Sequence, residues 1–190
     1  MDNDFTSQAF FEEKYVSAED PWYFATSSYE QNRYDIIVAA LGDRRFQRAF
    51  EPGCSIGVLT ERLAPLCDEL EAMDISPTAV ARARERCRSL PNVRIRQGAL
   101  PDQMPEGTFD LIVFSEIGYY FDSPTVSSLS RELVSRLRDG GIFLASHWSG
   151  VSREHVIRAD ELHEILAATA LEPVSSGRYE GFRLDCWRRV

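Results

Sequence analysis

The chain has 190 residues, 44% of them apolar and 27% charged, a balance that suits one globular domain with a sizeable core and excludes disorder along most of its length. Its formal charge is −9 and its arginines lie among acids, which argues against nucleic acid as a partner and for a neutral or cationic small molecule. No run is apolar for long enough to cross a bilayer, and the acidic start Met1 to Asp4 has no apolar stretch behind it, so neither a membrane span nor a signal peptide is expected.

Residues 1–45 read as helical, with an aromatic-rich segment from Pro21 to Tyr29 where a lid could form. From Phe46 onward, short β-branched or aromatic runs alternate with stretches carrying apolar residues three or four apart, the pattern of a parallel sheet with crossover helices. The first strand is Phe46 to Phe50. A helix follows through Val58, Leu59, Leu63 and Leu66, then a second strand from Leu70 to Ile75. Ser76-Pro77 supplies a cap and a first-turn proline for a helix with the stripe Val80, Ala83, Cys87 and Leu90. The arginines around that stripe, Arg82, Arg84, Arg86 and Arg88, read as a solvated face.

Val93 to Ile95 is a third short strand, and Phe109 to Phe114 a fourth, apolar enough to be buried on both faces. Ser123-Pro124 opens a helix through Leu129, Leu133 and Leu137, stopped by Gly140-Gly141. Strand five is Ile142 to Ser146, and Leu162, Ile165 and Leu166 mark a further helix. The tail from Pro173 reads as two strands around Glu180-Gly181, a C-terminal hairpin that an ordinary dinucleotide-binding half lacks. Cys54, Cys67, Cys87 and Cys186 share no CxxC spacing and are expected as free thiols in a reducing cytoplasm. His147, His155 and His163 lie eight apart, the latter two on similar helix faces and not at ligand spacing, so no metal site is expected.

Glu51-Pro52-Gly53-Cys54-Ser55-Ile56-Gly57 joins the first strand to the first helix, where an open α/β sheet binds ligands. Asp74 ends the second strand about 20 residues on, placed to accept both hydroxyl hydrogens of a ribose. Turn and acid together imply an adenosine-type cofactor. Thr60 stands where a dinucleotide fingerprint has its third glycine, which disfavours NAD; a sulfonium cofactor needs only room for its amino-acid part, beside an acid such as Glu51. The same loop also matches G-x-S-x-G, so a serine hydrolase with Ser55, Asp110 or Asp122, and His147 stays open, although no upstream strand and loop offers an oxyanion hole. A non-catalytic cofactor-binding module is a third reading.

Three groups of residues resemble one family: Asp20-Pro21-Trp22 with Tyr29-Glu30-Gln31-Asn32-Arg33, then Glu51-Pro52-Gly53-Cys54, then Phe109 to Val113 through Ser115-Glu116 to Tyr119-Tyr120. They are similar to the NodS-like group of S-adenosylmethionine-dependent methyltransferases, over about residues 20–188. The resemblance implies a Rossmann-like class I α/β fold: a seven-stranded, mostly parallel sheet with a C-terminal antiparallel hairpin and helices on both faces. It implies a single domain over 1–190, with 1–45 as a helical lid and 46–190 as the core. It also implies S-adenosylmethionine as cofactor, S-adenosylhomocysteine as product, no metal, and as acceptor an amine or hydroxyl of a small molecule such as a sugar or secondary metabolite, with the protein a monomer or homodimer.

By that resemblance Glu51, Gly53 and Ser55 line the methionine end, Asp74 holds the ribose, Arg33 pairs with the cofactor carboxylate and Trp22 covers the site. Ile75, Ala99, Leu100 and Ser115 complete the lining. Ser55 replaces a middle glycine, and Ala99 replaces an Asp that bonds the adenine amine in many relatives. At the acceptor, Glu116 after strand four and His147 after strand five stand where the site opens, and either can take a proton. Tyr119 and Tyr120 are placed to line the acceptor cavity.

Overall fold

The computed structural model describes residues 7–190; the acidic start Met1 to Asp4 lies outside them. Two helices, α1 (Gln8–Ser17) and α2 (Ser28–Leu41), precede the sheet. Then follow β1 (Phe46–Pro52), α3 (Val58–Leu63), β2 (Cys67–Asp74), α4 (Pro77–Arg86), β3 (Val93–Gln97), β4 (Phe109–Ser115), α5 (Ser123–Ser135), β5 (Leu137–Trp148), α6 (Ala159–Ala167), β6 (Leu171–Tyr179) and β7 (Phe182–Arg189). The seven strands lie in the order β3-β2-β1-β4-β5-β7-β6. β1 to β5 run parallel, and β7 inserts antiparallel between β5 and β6. Strand order reverses between β1 and β4, so a crevice opens beyond their carboxyl ends.

Alternation along the central strands divides the core in two. Leu111, Val113, Ile142 and Leu144 pack on one face against Tyr34, Ile37, Leu59 and Leu63 of α2 and α3. Ile112, Phe114, Phe143 and Ala145 pack on the other against Val126, Leu129 and Leu133 of α5 and Leu162 and Leu166 of α6. With helices on both faces, β4 has to be apolar at consecutive positions. All four cysteines are buried free thiols. Among the described residues, no helix is long and apolar enough to cross a membrane.

Several boundaries differ from the sequence reading. α5 is capped by Asp122, whose carboxylate accepts the Thr125 N–H at 2.9 Å, leaving Ser123 as the first helical residue; an anion suits the positive helix end. The helix stops at Ser135, well before Gly140-Gly141, because the Arg136 carbonyl accepts the Phe109 N–H at 2.8 Å and draws the chain into the sheet. The two glycines lie inside β5, where the pairing with β4 jumps from Phe109–Leu137 to Leu111–Ile142. Nor is the arginine face of α4 simply solvated: Arg82 donates to the Ala18 and Glu19 carbonyls, Arg84 to Ile95 and Arg86 to Ile56. His155 sits in the loop ahead of α6, not on the helix.

Leu111 is fully buried at the centre of the sheet. Truncation there removes packing that neighbours recover only in part. Leu111→Ala is expected to lower unfolding free energy by about 2–5 kcal/mol in urea melts followed by circular dichroism, with an unchanged far-ultraviolet spectrum before the transition.

Candidate active site

The turn after β1 is shaped by backbone that only certain residues tolerate. Gly53 has φ 75°, and a Cβ there would lie 2.2 Å from Cγ2 of Ile117. Glycine is therefore required both by conformation and by close approach. Ser55 holds a positive φ of 52°, and its N–H donates to Oδ2 of Asp74 at 2.8 Å. The Ser76 N–H donates to Oδ1 at 2.9 Å, so Asp74 ties the β1 turn to the start of α4. Burial pushes the Asp74 carboxyl up to about 6, against the pull of those N–H groups.

Glu51 ends β1 almost wholly buried, and its Oε2 accepts the Thr60 hydroxyl at 2.6 Å. One hydroxyl cannot replace the lost hydration. Burial accordingly lifts Glu51 to about 8, with Asp74 adding to the shift. A buried carboxyl in this condition favours any cation brought next to it.

The crevice is crossed by an ion cluster. Arg33 of α2 is 1% exposed; its Nη2 donates to Oε2 of Glu30 at 2.5 Å, and its Nη1 forms an ion pair with Oε1 of Glu116. That ion pair lacks hydrogen-bond alignment, and among the described residues Nε has no partner. The two carboxylates hold the guanidinium charged despite its burial. Glu116, at the end of β4 with φ 59°, also accepts the Trp148 N–H at 2.8 Å and the Tyr119 hydroxyl at 2.7 Å.

These groups line a single cavity of about 790 Å³, within the range of small-molecule sites. It gathers Trp22, Arg33, Glu51, Gly53, Ser55, Asp74, Ile75, Ala99, Leu100, Ser115, Glu116, Tyr119 and Tyr120. Trp22 stands at its wall stacked on Phe24, with centroids 5.7 Å apart and planes at 22°, and meets Tyr15 edge-on. Tyr15, which periodicity alone did not single out, donates its hydroxyl to Ser55 Oγ at 2.7 Å.

His147 is the exception among the expected site residues: it is 0% exposed and does not line the cavity. Its Nε2 accepts the Gly118 N–H at 3.2 Å, its Nδ1 meets His163 Nε2 at 3.1 Å, and His163 Nδ1 meets Asp185 Oδ2 at 2.7 Å. The carboxylate accepts from His163 Nδ1–H, which leaves His163 Nε2 to accept from His147 Nδ1–H and His147 Nε2 to accept from Gly118. Burial, then the neighbouring His163, keeps His147 neutral far below the usual imidazole range. A ring bonded on both nitrogens cannot receive a proton from an acceptor. Its work is to hold the turn at Gly118 that carries Tyr119 and Tyr120.

The hydrolase reading also fails on geometry. Ser55 Oγ is bonded to Tyr15, and the imidazole that was to activate it is committed to Gly118 and His163. Among the described residues, no group of His, Cys, Asp and Glu is arranged to hold a metal ion. Sequence reasoning gives no site role to His155, Trp148, Tyr29 or Glu30, all of which line the cavity.

Residues 7–177 match the family described as Nodulation protein S (NodS). Nodulation protein S of Sinorhizobium fredii is 31% identical over 162 residues, 83% of this chain and 75% of the relative. That of Azorhizobium caulinodans is 30% identical over 173 residues, 88% and 83% of the two chains. The crystal structure of N-methyltransferase NodS from Bradyrhizobium japonicum WM9, in complex with S-adenosyl-L-homocysteine, superposes with a TM-score of 0.84 at 26% identity, covering 99% of each chain.

Glu51 makes stability depend on pH. Its folded-state value of about 8 lies above the ordinary 4.5, so between these the native state binds more protons than the unfolded chain and stability falls as pH rises. The loss, on the order of 5 kcal/mol, is complete above about pH 8. Glu51→Gln is expected to flatten this slope and to melt at a higher temperature than the parent at pH 8.5, with little difference at pH 5; parallel melting curves would refute the assignment.

Proposed function

The chain belongs to the NodS family of S-adenosylmethionine-dependent methyltransferases, and from that premise we propose that it methylates an amine nitrogen of a small molecule. The observation that carries this reading is electrostatic. The residues lining the cavity include the carboxyl groups of Glu30, Glu51, Asp74, Glu116 and Glu154 and one cationic side chain, Arg33. Such a lining selects for positive charge on what it binds. A sulfonium donor and an ammonium acceptor both satisfy it, whereas a neutral hydroxyl acceptor uses none of it.

The residues present fit the cofactor. Glu51, short of partners, suits its ammonium group; Arg33 Nε, which has none, suits its carboxylate; Asp74 keeps lone pairs for ribose hydroxyls. Ala99 and Leu100 offer backbone groups and apolar surface to the adenine. Bound there, S-adenosylmethionine supplies a methyl group already activated toward displacement.

The remaining task for the protein is to orient the acceptor and exclude water. The cofactor end lies beyond β1 and β2, and the acceptor end beyond β4 and β5, where Tyr119, Tyr120 and Trp148 form the wall. Glu116, bonded to Arg33, Tyr119 and the Trp148 N–H, orients that wall and contributes negative charge. Lid and core act as one domain in this reading, in the cytoplasm, without nucleic acid as a partner.

Two measurements test it. Calorimetry is expected to show S-adenosylhomocysteine binding, weakened at least about tenfold in Asp74→Ala through lost charge-assisted hydrogen bonds; an unchanged affinity would sink the cofactor placement. Labelled-methyl uptake over a panel of aliphatic amines, aminosugars and matching alcohols is expected on amines alone and to survive Ser55→Ala. Uptake confined to alcohols would overturn the amine assignment.

A further inference from the structure

The cavity wall carries one imidazole that the relay of buried histidines does not consume. His155 is half-buried, lines the cavity, and among the described residues neither of its ring nitrogens has a hydrogen-bond partner. Its ring lies flat on Tyr119, with centroids 3.7 Å apart and planes at 17°, and meets Tyr120 at 5.4 Å and Trp148 at 5.9 Å edge-on. The loop behind it is pinned: the Val156 N–H donates to the Tyr119 carbonyl at 2.8 Å, and Glu154 accepts from Lys14 at 2.7 Å. His155 is thus a fixed ring with its nitrogens uncommitted, at the end of the cavity assigned to the acceptor.

We infer that His155 is the catalytic base that takes the proton from an ammonium acceptor. This rests on the amine reading above. The N–H bond of the ammonium breaks, an N–H bond to a neutral imidazole nitrogen forms, and the acceptor nitrogen is left with the lone pair that attack requires. The imidazolium returns its proton to water at the cavity mouth, and nothing is oxidised or reduced. Glu116, by contrast, is already held by Arg33, Tyr119 and Trp148, and His147 is sealed from the cavity.

The groups facing the ring are Glu116 from the end of β4, the rings of Tyr119 and Tyr120 from the following turn, and Glu154 of its own loop, with Lys14 of α1 behind Glu154. Burial lowers its proton affinity below the ordinary imidazole value, against the opposing pull of Glu116 and Glu154, so the ring is neutral and able to accept a proton at pH 7.

Nuclear magnetic resonance of 15N-histidine in the protein saturated with S-adenosylhomocysteine tests the inference, with n-butylammonium chloride as probe and n-butanol as control. The butylammonium cation is expected to lower the His155 pKa by about half a unit or more through like-charge repulsion, and butanol to leave it in place. No movement with butylammonium overturns the proposal. In the methyl-uptake panel, His155→Gln is expected to cut turnover by about 10²–10⁴-fold at pH 7 with S-adenosylhomocysteine affinity unchanged, and added imidazole to restore part of it in His155→Gly. Parental turnover in His155→Gln defeats the assignment of the base alone. Failure of the parent to bind S-adenosylhomocysteine defeats the functional reading instead, so the two failures are distinguishable.

Discussion

One buried guanidinium organises the cavity at the carboxyl ends of the strands. Arg33 leaves α2 and lies between Glu30 of its own helix and Glu116 at the end of β4. A charge removed from water in this way is tolerable only when opposite charge surrounds it. The two carboxylates meet that demand, and in doing so they fix the N-terminal helices against the carboxyl ends of the strands. Glu116 then passes the constraint on through the Tyr119 hydroxyl and the Trp148 amide. The cavity wall beyond β4 and β5 is positioned by a network that begins in a helix outside the Rossmann-like sheet.

The turn after β1 follows a different logic. Glu51 and Asp74 are buried beside the β1 turn, both pushed toward the protonated form by desolvation. In the free protein these are costs. A cationic ligand converts them into attraction, because the low dielectric that penalises an isolated carboxylate strengthens its contact with an opposite charge. Free energy withheld from folding stability becomes available for binding at this turn. Only the short-partnered carboxyl behaves so strongly: Asp74, with two backbone N–H donors, is raised less than Glu51.

The sheet and the turn after β1 that borders the cavity are legible because local chemistry dictates them. Consecutive apolar residues in β4, the Ser76-Pro77 start of α4, and Gly53 at positive φ are each dictated within a few residues. What could not be read depends on contacts distant in sequence. His147 follows a strand that ends at the crevice, yet it is turned inward to His163 and, through it, to Asp185, 38 positions along the chain. His155 resembles any polar loop residue until Tyr119 is seen beneath it. The end of α5 was misplaced because a backbone bond to β4, rather than a glycine, stops the helix. The N-terminal helices and their aromatic cluster are legible, whereas their attachment through Tyr15 to Ser55 is not.

The insertion of β7 between β5 and β6 has a bearing on how the molecule matures. β7 is the last of these seven strands in chain order, yet it occupies an interior position and delivers Asp185, the terminus of the histidine relay under the Gly118 turn. During translation, β1 to β5 can associate while one flank of β5 stays unpaired and the relay lacks its anion. The β1 and β2 side of the crevice can therefore assemble before the relay that holds the Gly118 turn is complete, so the two ends of one cavity depend on different stretches of the chain.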